Sequence, residues 1–424
     1  MVRLAILLVL FACTLYEWYA GPKRAMVYLA LTGLFVFFSL RYGQGTDYLT
    51  YLSIYANVPS LASFPAYQAF AYNKIEIGFF YIISAFKMVR AHYAVFIAFV
   101  TLFSLYGLHR FIKWSGAAPM FALMFFFAVY SLVYMESAIR QMLSIGVALG
   151  FVLPGWAGGK RIRPLLGILL ASLIHTSAAL LFLLPVLFWN ERPLFLIGWD
   201  RRKAAVCTGL LLLGAAAAAF VDFSAVIRLL PERFAKLEHT ILSYYLNRRI
   251  GLLPFLNRSL FMLAALALAY RARERLSGGE KLLFNLYCVG YGVYLLMMSS
   301  DLIASRTTLY FRIVEFCLFP ALFYRNRDLI RRAVVAMPAM LALLGFLYVK
   351  DIAAAMGDAQ YYSRNPLRYP YITVLSATDL LDHKFVNVKN AQAMNAYQAG
   401  GVSYDEYYRQ LLRKPSVRSP ILPY

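Results

Sequence analysis

The amino-acid sequence predicts an all-α, polytopic integral membrane protein. Hydrophobic residues make up 62% of the 424 residues and charged residues only 15%, which would leave a water-soluble domain covered by apolar surface. Several stretches approach the length of a membrane span and are apolar on every face. Strands of a β-barrel would be shorter and would alternate polar with apolar residues, so these stretches are predicted to be helices. We expect roughly 11–14 transmembrane or re-entrant helices, at about 20 residues per span.

The apolar stretches follow one another along most of the chain. The clearest of them are residues 5–13, 25–40, 94–105, 210–220 and 333–349. Arg3 precedes the first stretch as it would in a signal peptide, but a second apolar stretch follows at once. We therefore interpret the first stretch as the first helix of the membrane domain.

The distribution of basic residues predicts the orientation of the helices. The net charge of +22 would suit a nucleic-acid-binding protein, yet many Lys and Arg residues lie in short breaks between apolar stretches. Residues 160–163, 201–203, 271–281 and 325–332 together hold 14 basic and 3 acidic residues. The positive-inside rule places these breaks in the cytoplasm, so nucleic acid is not an expected partner.

This orientation predicts how the chain is organised. A transmembrane domain is expected over residues 1–350, with outer loops at residues 41–76 and 221–257. Residues 351–424 contain several prolines and a pair of glycines, and are expected to form an extramembrane tail on the outer, periplasmic side.

Two places in the predicted topology cannot be regular spans. Residues 165–189 lie between two cytoplasmic breaks but are only one span long, so a helix break is expected near residues 174–177. Five apolar segments lie between Lys23 and Lys160, so either 77–89 or 93–111 is not a full span. Irregular backbone at membrane depth is tolerated where it is buried in protein or lines a cavity, so both places indicate a site.

The densest polar cluster directly follows the second apolar stretch, at residues 41–48 (RYGQGTDY), with Tyr51 just beyond. Arg41 supplies a rigid fork of donors and Asp47 an acceptor or base in a loop that contains two glycines. An alternative is an ordinary outer loop with interfacial aromatic residues, in which Asp47 only pairs with Arg41.

Further polar residues interrupt later apolar stretches. Arg140 lies at the outer end of one of them, where an anionic ligand or an intrahelical pair with Glu136 would compensate its charge. His175 lies at the expected helix break, either as a functional residue or as a structural one. Arg306 and Tyr310 are four residues apart and share one helical face.

These residues favour some kinds of chemistry and exclude others. Three arginines on separate outer segments, without a cage of acidic residues, suit an anionic headgroup such as a diphosphate bound without a metal ion. Motifs for nucleotide binding, zinc proteolysis and serine nucleophiles are absent. The four cysteines show no metal-binding spacing, and no cofactor is expected.

Five ordered motifs resemble those of the EpsG family of Wzy-like polysaccharide polymerases. They are residues 41–48 with Tyr51, residues 76–79 (EIGF), residues 139–141 (IRQ) with the basic loop at 160–161, residues 170–178 (LASLIHTSA), and Arg306 with Tyr310, Phe311 and Pro320. Ile77 stands where the family pattern has proline, and Thr176 stands where it often has a basic residue. The segment beyond Asp351 has no counterpart in the pattern.

The resemblance implies a metal-independent glycosyltransferase with a GT-C-like fold in the bacterial inner membrane. The enzyme would join oligosaccharide repeat units carried on undecaprenyl diphosphate, in exopolysaccharide or lipopolysaccharide biosynthesis, with its active site facing the periplasm. Lipid-linked oligosaccharide would be both donor and acceptor, membrane lipid would surround the protein, and a flippase and a chain-length regulator would be possible partners. An O-antigen ligase, a glycan O-acetyltransferase and a lipid-oligosaccharide flippase remain alternatives.

The polymerase reaction needs a base for the attacking hydroxyl and cations for the departing diphosphate. We predict Asp47 as the base, with His175 as the second candidate, and only one of them can serve. The predicted diphosphate ligands are Arg41, Arg140 and Arg306. The predicted glycan-binding residues are Tyr48, Glu76, Gln141 and Tyr310.

Overall fold

The computed structural model describes residues 2–45, 47–61, 75–188, 250–298, 300–332, 336–358, 371 and 373–375. Throughout these residues the regular elements are helices, and an isolated antiparallel bridge joins Arg41 to Thr373. The predicted all-α class is therefore confirmed for the described part of the chain. The expected run at residues 210–220, nearly all of the loop at 221–257 and most of the tail lie outside the described residues.

The chain divides into two compact units, which are described separately. The first unit comprises Met1–Pro154, Ile162–Thr176 and Ala333–Tyr424, and the second comprises Gly155–Arg161 and Ser177–Arg332. Helices are numbered here in chain order over the described residues. Those of the first unit are α1 (Val2–Ala20), α2 (Arg24–Leu40), α3 (Tyr48–Asn57), α4 (Ile77–Met88), α5 (Tyr93–Ser115), α6 (Pro119–Tyr130), α7 (Ile139–Val147, continuing to Ala157), α8 (Ile162–Ile174) and α16 (Ala336–Asp358).

The second unit is also helical over its described residues. Its helices are α9 (Leu183–Phe188), α10 (Leu252–Ala272), α11 (Gly278–Leu296), α12 (Asp301–Thr307), α13 (Leu309–Arg312), α14 (Glu315–Arg325) and α15 (Arg327–Arg332). A capping box begins α11, since Ser277 accepts from the backbone N–H of Glu280 while the Glu280 side chain accepts from the backbone N–H of Ser277.

Five of the described helices are long and apolar enough to cross a membrane. They are Val2–Ala20, Tyr93–Ser115, Ile139–Ala157, Leu252–Ala272 and Ala336–Ala354. Shorter apolar helices occupy Arg24–Leu40, Ile77–Met88, Pro119–Met135, Ile162–Ile174 and Thr176–Pro185. Together with the composition, these helices indicate a multi-pass membrane protein, while the total of 11–14 helices stays a prediction.

Helix α6 forms the centre of the first unit. Every side chain from Met120 to Phe127 is fully buried, as expected for a helix that is apolar on all faces. Helices α1 and α16 pack against it, and the rings of Phe127 and Tyr348 lie 5.0 Å apart. Glu17 of α1 accepts hydrogen bonds from the backbone N–H groups of Met120 and Phe121, at 3.0 and 3.1 Å, and so satisfies donors at the start of α6.

Both expected irregularities are present in the structure. Helix α8 ends at Ile174 and a 3-10 helix begins at Thr176, so His175 lies at a helix break, as predicted. Of the two segments that could not both be full spans, Ile77–Met88 is the short one with 12 residues, whereas Tyr93–Ser115 has 23. A third irregularity was not expected: a π-helical turn at Ser131–Met135 ends α6, and a turn at Glu136 and Ser137 leads into α7.

Candidate active site

Glu76 is the centre of a polar cluster in the first unit. Its Oε2 accepts a hydrogen bond from Nη1 of Arg140 at 2.5 Å, and its Oε1 lies 3.8 Å from Nδ1 of His175. The backbone N–H of Thr176 donates to the same Oε1 at 3.3 Å. One carboxylate therefore joins the start of α4, the start of α7 and the break after α8.

A glycine allows this convergence. A Cβ placed on Gly78 would lie 2.7 Å from the carbonyl oxygen of Leu173, so only glycine lets the first turn of α4 pack directly on the last turn of α8. Glu76 precedes Gly78 by two residues, and His175 follows Leu173 by two. The close backbone contact thus explains why Glu76 and His175 are neighbours although 99 residues separate them.

Arg140 contacts residues of two other sequence motifs. Its guanidinium is 5.9 Å from the ring of Tyr51 and 6.0 Å from the ring of Phe79, and it hydrogen-bonds with the Tyr51 side chain. Burial raises the pKa of Tyr51, and the charge of Arg140 opposes that shift. The Arg140 side chain is 22% exposed, whereas its Nε is itself buried and has no acceptor among the described residues.

Asp47, the first candidate for the base, belongs to the surroundings of this cluster. It occupies the N-cap position of α3 without a capping hydrogen bond from its side chain, and it is partly exposed. Its charge acts on both Arg140 and Tyr51. The two base candidates, Asp47 and His175, therefore both lie around the Arg140–Glu76 pair.

The alternative that paired Glu136 with Arg140 is wrong. Glu136 binds Arg3 of α1, with 2.6 Å between its Oε2 and Nη2 of Arg3. The four-residue spacing would bring Glu136 and Arg140 together only on a continuous helix, and the turn at Glu136 and Ser137 interrupts the helix. Ala138, with φ −85° and ψ 56°, begins a new helix from which Arg140 turns towards Glu76 instead.

Arg3 and Glu136 form part of a second, fully buried network. Nη2 of Arg3 also donates to Oε1 of Gln44 at 2.8 Å, and Arg3, Gln44 and Glu136 are 2%, 4% and 1% exposed. Arg41 lies close by, 2% exposed, and donates to the carbonyl oxygen of Phe38. Burial lowers the pKa of Arg41, and the Glu136 carboxylate opposes that effect. Arg41 is thus an interior residue, and its contact with a diphosphate stays a prediction.

The predicted glycan-binding residues of the first unit differ in exposure. Glu76 is partly exposed in the polar cluster, whereas Tyr48 and Gln141 are 2% and 1% exposed. The ring of Tyr48 packs edge-on against those of Tyr42 and Tyr93, at 5.7 and 5.4 Å between centroids. A glycan contact by Tyr48 or Gln141 stays a prediction.

The remaining predicted residues lie in the second unit. Arg306 is partly exposed in the last turn of α12, and Tyr310 on α13 is 1% exposed. The structure adds an ion pair there, with 3.4 Å between Nη1 of Arg258 and Oε1 of the buried Glu315. The roles of Arg306 as a diphosphate ligand and of Tyr310 as a glycan ligand stay predictions.

Sequence reasoning missed Arg3, Gln44 and Glu136 as a connected group. Arg3 could have been noticed, because a cation at the end of an apolar helix needs a partner when it is buried. Its partner was not predictable, since Glu136 lies 133 residues away along the chain. Over the part of the chain that the structure describes, no group of three or more His, Cys, Asp or Glu side chains could hold a metal ion. Metal independence stays a prediction.

Comparison with known proteins identifies the family. The family model described as the EpsG family matches residues 24–364, and this range contains every residue of the Glu76 cluster. No curated protein matches the chain, and no solved structure does. Because the matched range covers far more than half of the 424 residues, the chain belongs to the EpsG family.

Proposed function

We propose that the protein is a Wzy-type polysaccharide polymerase with a GT-C-like fold. It joins oligosaccharide repeat units carried on undecaprenyl diphosphate at the periplasmic face of the bacterial inner membrane. Membership of the EpsG family supports a polymerase of the Wzy-like type, and the apolar helices support a membrane location. The observation that carries the proposal is the convergence of Tyr51, Glu76, Arg140 and His175, which come from four separate sequence motifs.

Arg140 is the proposed ligand of the departing diphosphate. It is the second residue of α7, and a helix start favours bound anions through its free backbone N–H groups and its dipole. The guanidinium fork suits phosphate oxygens, and the side chain is 22% exposed. Glu76 compensates the charge of Arg140 before the substrate binds, and the diphosphate takes over that role afterwards. Arg306 remains a diphosphate ligand predicted from the sequence alone.

His175 is now the first candidate for the base, and Asp47 the second. A carboxylate beside one ring nitrogen orients an imidazole and stabilises the imidazolium that forms on proton uptake, and Glu76 is placed to act in this way. In the reaction, the acceptor hydroxyl attacks the anomeric carbon of the donor and gives its proton to His175. The bond to the diphosphate breaks, and undecaprenyl diphosphate leaves with the electron pair.

The purified protein, reconstituted in liposomes with lipid-linked repeat units, tests the polymerase proposal. Wild-type protein is expected to produce a ladder of polymer lengths without an added nucleotide or metal ion. His175→Gln is expected to lower the rate on the order of 100-fold. Asp47→Asn, which keeps the shape of the side chain, is the matched variant and is expected to act less strongly. A normal rate in His175→Gln together with a lost ladder in Asp47→Asn would return the base to Asp47.

The same assay separates the alternatives. A ligase would transfer one preformed chain to a different acceptor and make no ladder. An O-acetyltransferase would change the acetyl content and leave chain length unaffected. A flippase would move lipid-linked repeats between leaflets without joining them, so the repeats would stay single. Each of these results would contradict the polymerase.

The proposed orientation is open to thiol labelling from outside the cell. Single cysteines at Thr50 and Gly159, both exposed residues, would be introduced after replacement of the native cysteines. An impermeant reagent is expected to label position 50 and not position 159. Thr50 is chosen because it is exposed, whereas Gln44 in the preceding loop is buried against Arg3. The reverse labelling pattern would contradict a periplasmic active site.

A further inference from the structure

We propose that Arg3 is a positioning residue, which fixes the loop that carries Asp47 against the turn that leads to Arg140. Arg3 lies at the start of α1 and its side chain is 3% exposed. Its guanidinium contacts both segments, since Nη2 donates to Gln44 at 2.8 Å and to Glu136 at 2.6 Å. Nε donates to the second carboxylate oxygen of Glu136 at 3.3 Å.

The two contacts have consequences for the candidate site because of where they lie in the chain. Gln44 precedes Asp47 by three residues, and Glu136 precedes Arg140 by four. Both connections run through turns rather than through a continuous helix, so local backbone structure alone does not fix Asp47 or Arg140. A single side chain that holds both turns therefore determines how these two site residues lie relative to each other.

Direct backbone contact between the two segments supports this role independently. A Cβ placed on Gly45 would lie 2.2 Å from the carbonyl oxygen of Glu136, and Gly45 has φ +98°, which side-chain-bearing residues rarely adopt. The loop at residues 41–45 is thus in close contact with the turn at Glu136 beside the Arg3 contacts. Arg3 and Gly45 both hold the same junction.

The surroundings of Arg3 indicate that the guanidinium cannot leave this position easily. The rings of Phe37 and Tyr371 lie 5.5 and 5.7 Å from its Cζ, and Glu136 is 1% exposed. Loss of one member of a buried ion pair leaves an uncompensated charge, which is strongly destabilising. Arg3 therefore holds a permanent junction, unlike Arg140, whose pair with Glu76 is partly open to solvent.

Hydrogen exchange followed by mass spectrometry tests this junction without any activity readout. In Arg3→Lys the charge remains, but one ammonium group replaces the fork that binds two partners, and exchange of residues 41–47 is expected to rise about tenfold. Exchange of residues 93–115, which form α5, is expected to stay unchanged, as is exchange throughout the control Arg24→Lys, at an exposed position at the start of α2. Unchanged exchange at residues 41–47 would overturn the proposal, and so would a rise over the whole unit.

Steady-state kinetics then test the consequence for the reaction, which presupposes the proposed polymerase function. The Arg3→Lys variant should displace Asp47 and Arg140. Its kcat should therefore fall about tenfold, whereas its KM should change about twofold or less. An equal rise in KM with kcat unchanged would overturn a positioning role. If wild-type protein makes no polymer, the proposed function fails, whereas the exchange measurement still decides whether Arg3 holds the junction.

A double-mutant cycle keeps the proposal testable if single variants fold poorly. Arg3→Gln leaves Glu136 uncompensated, and Glu136→Gln leaves Arg3 and the nearby Arg41 uncompensated. Because the double variant removes both members of the pair, its exchange at residues 41–47 is expected to rise less than the product of the two single effects. Strictly multiplicative effects would overturn the coupling on which the proposal depends.

Discussion

Two arginine–carboxylate pairs in the first unit have the same chemistry but differ in solvent exposure. The side chains of Arg140 and Glu76 are 22% and 13% exposed, whereas those of Arg3 and Glu136 are 3% and 1% exposed. A partly exposed pair can exchange one member for an anionic ligand at modest cost, but opening a buried pair leaves a charge without compensation. The exposed pair therefore suits the substrate role proposed for it, whereas the buried pair suits a structural role.

The helices that surround each pair explain the difference. Arg140 and Glu76 both stand at helix starts, beside the break at His175. The guanidinium of Arg3 lies beside the rings of Phe37 of α2 and of Tyr371, a residue of the C-terminal region. The candidate site therefore lies at helix ends, whereas Arg3 and Glu136 lie in the packed interior.

The largest expected effect is that of Glu136→Gln on stability. The substitution removes the carboxylate that faces Arg3 and acts on Arg41, so the free energy of unfolding should fall by about 3–5 kcal/mol. Thermal unfolding in detergent measures this change. The matched variant is Glu76→Gln, which should lower stability by about 1 kcal/mol because its pair is partly exposed. Equal losses in both variants would remove the distinction between the two pairs.

Arg140→Lys should have the opposite profile, with a large effect on rate and a small one on stability. The charge remains but the bidentate fork is lost, so the rate should fall on the order of 100-fold, or about 3 kcal/mol. Polymer formation in liposomes measures the rate, and thermal unfolding provides the second measurement. Arg110→Lys, at an exposed position of α5, is the control. A normal rate would mean that Arg140 only pairs with Glu76.

Gly78→Ala should move Glu76 away from His175 without removing either side chain. The new Cβ would lie 2.7 Å from the carbonyl oxygen of Leu173, so α4 and α8 must move apart, at a cost of about 1–3 kcal/mol. The rate should fall about tenfold, because separating the two helices moves Glu76 out of position relative to His175. Gly33→Ala is the control, since nothing lies within 4 Å of its added Cβ. A rate equal to wild type would show that the Glu76–His175 contact does not affect the reaction.

The smallest expected effect is that of Tyr371→Phe, which changes a ring beside the buried Arg3. Tyr371 stacks on Phe37 at 4.6 Å, and its hydroxyl donates to the carbonyl oxygen of Phe37 at 2.6 Å. Burial raises the pKa of Tyr371 to about 12, so the hydroxyl stays protonated and able to donate at neutral pH. Tyr371→Phe should lower the free energy of unfolding by about 1 kcal/mol, and Tyr371→Ala by more, since the stacked ring is lost as well. Thermal unfolding would contradict this account if both variants matched wild type.

Many helical elements of the fold were predictable from local sequence patterns. Composition and apolar run lengths indicated membrane helices, and the count of basic breaks indicated that residues 165–189 could not be one regular helix. The structure confirms the break at His175 and identifies Ile77–Met88 as the short segment. These features were predictable because backbone hydrogen bonding and hydrophobicity act over neighbouring residues.

Which charged side chains pair with each other depends on how the helices pack. Glu136 and Arg140 have the spacing of an intrahelical pair, but the turn after Ser131–Met135 separates them and gives each a distant partner. Arg140 meets Glu76 across 64 residues, and Glu136 meets Arg3 across 133. Residue spacing predicts a side-chain contact only while the helix is unbroken, and beyond a break the packing of whole helices sets the distances. For this reason the residues of the candidate site were recognisable in the sequence, whereas their partners and their solvent exposure were not.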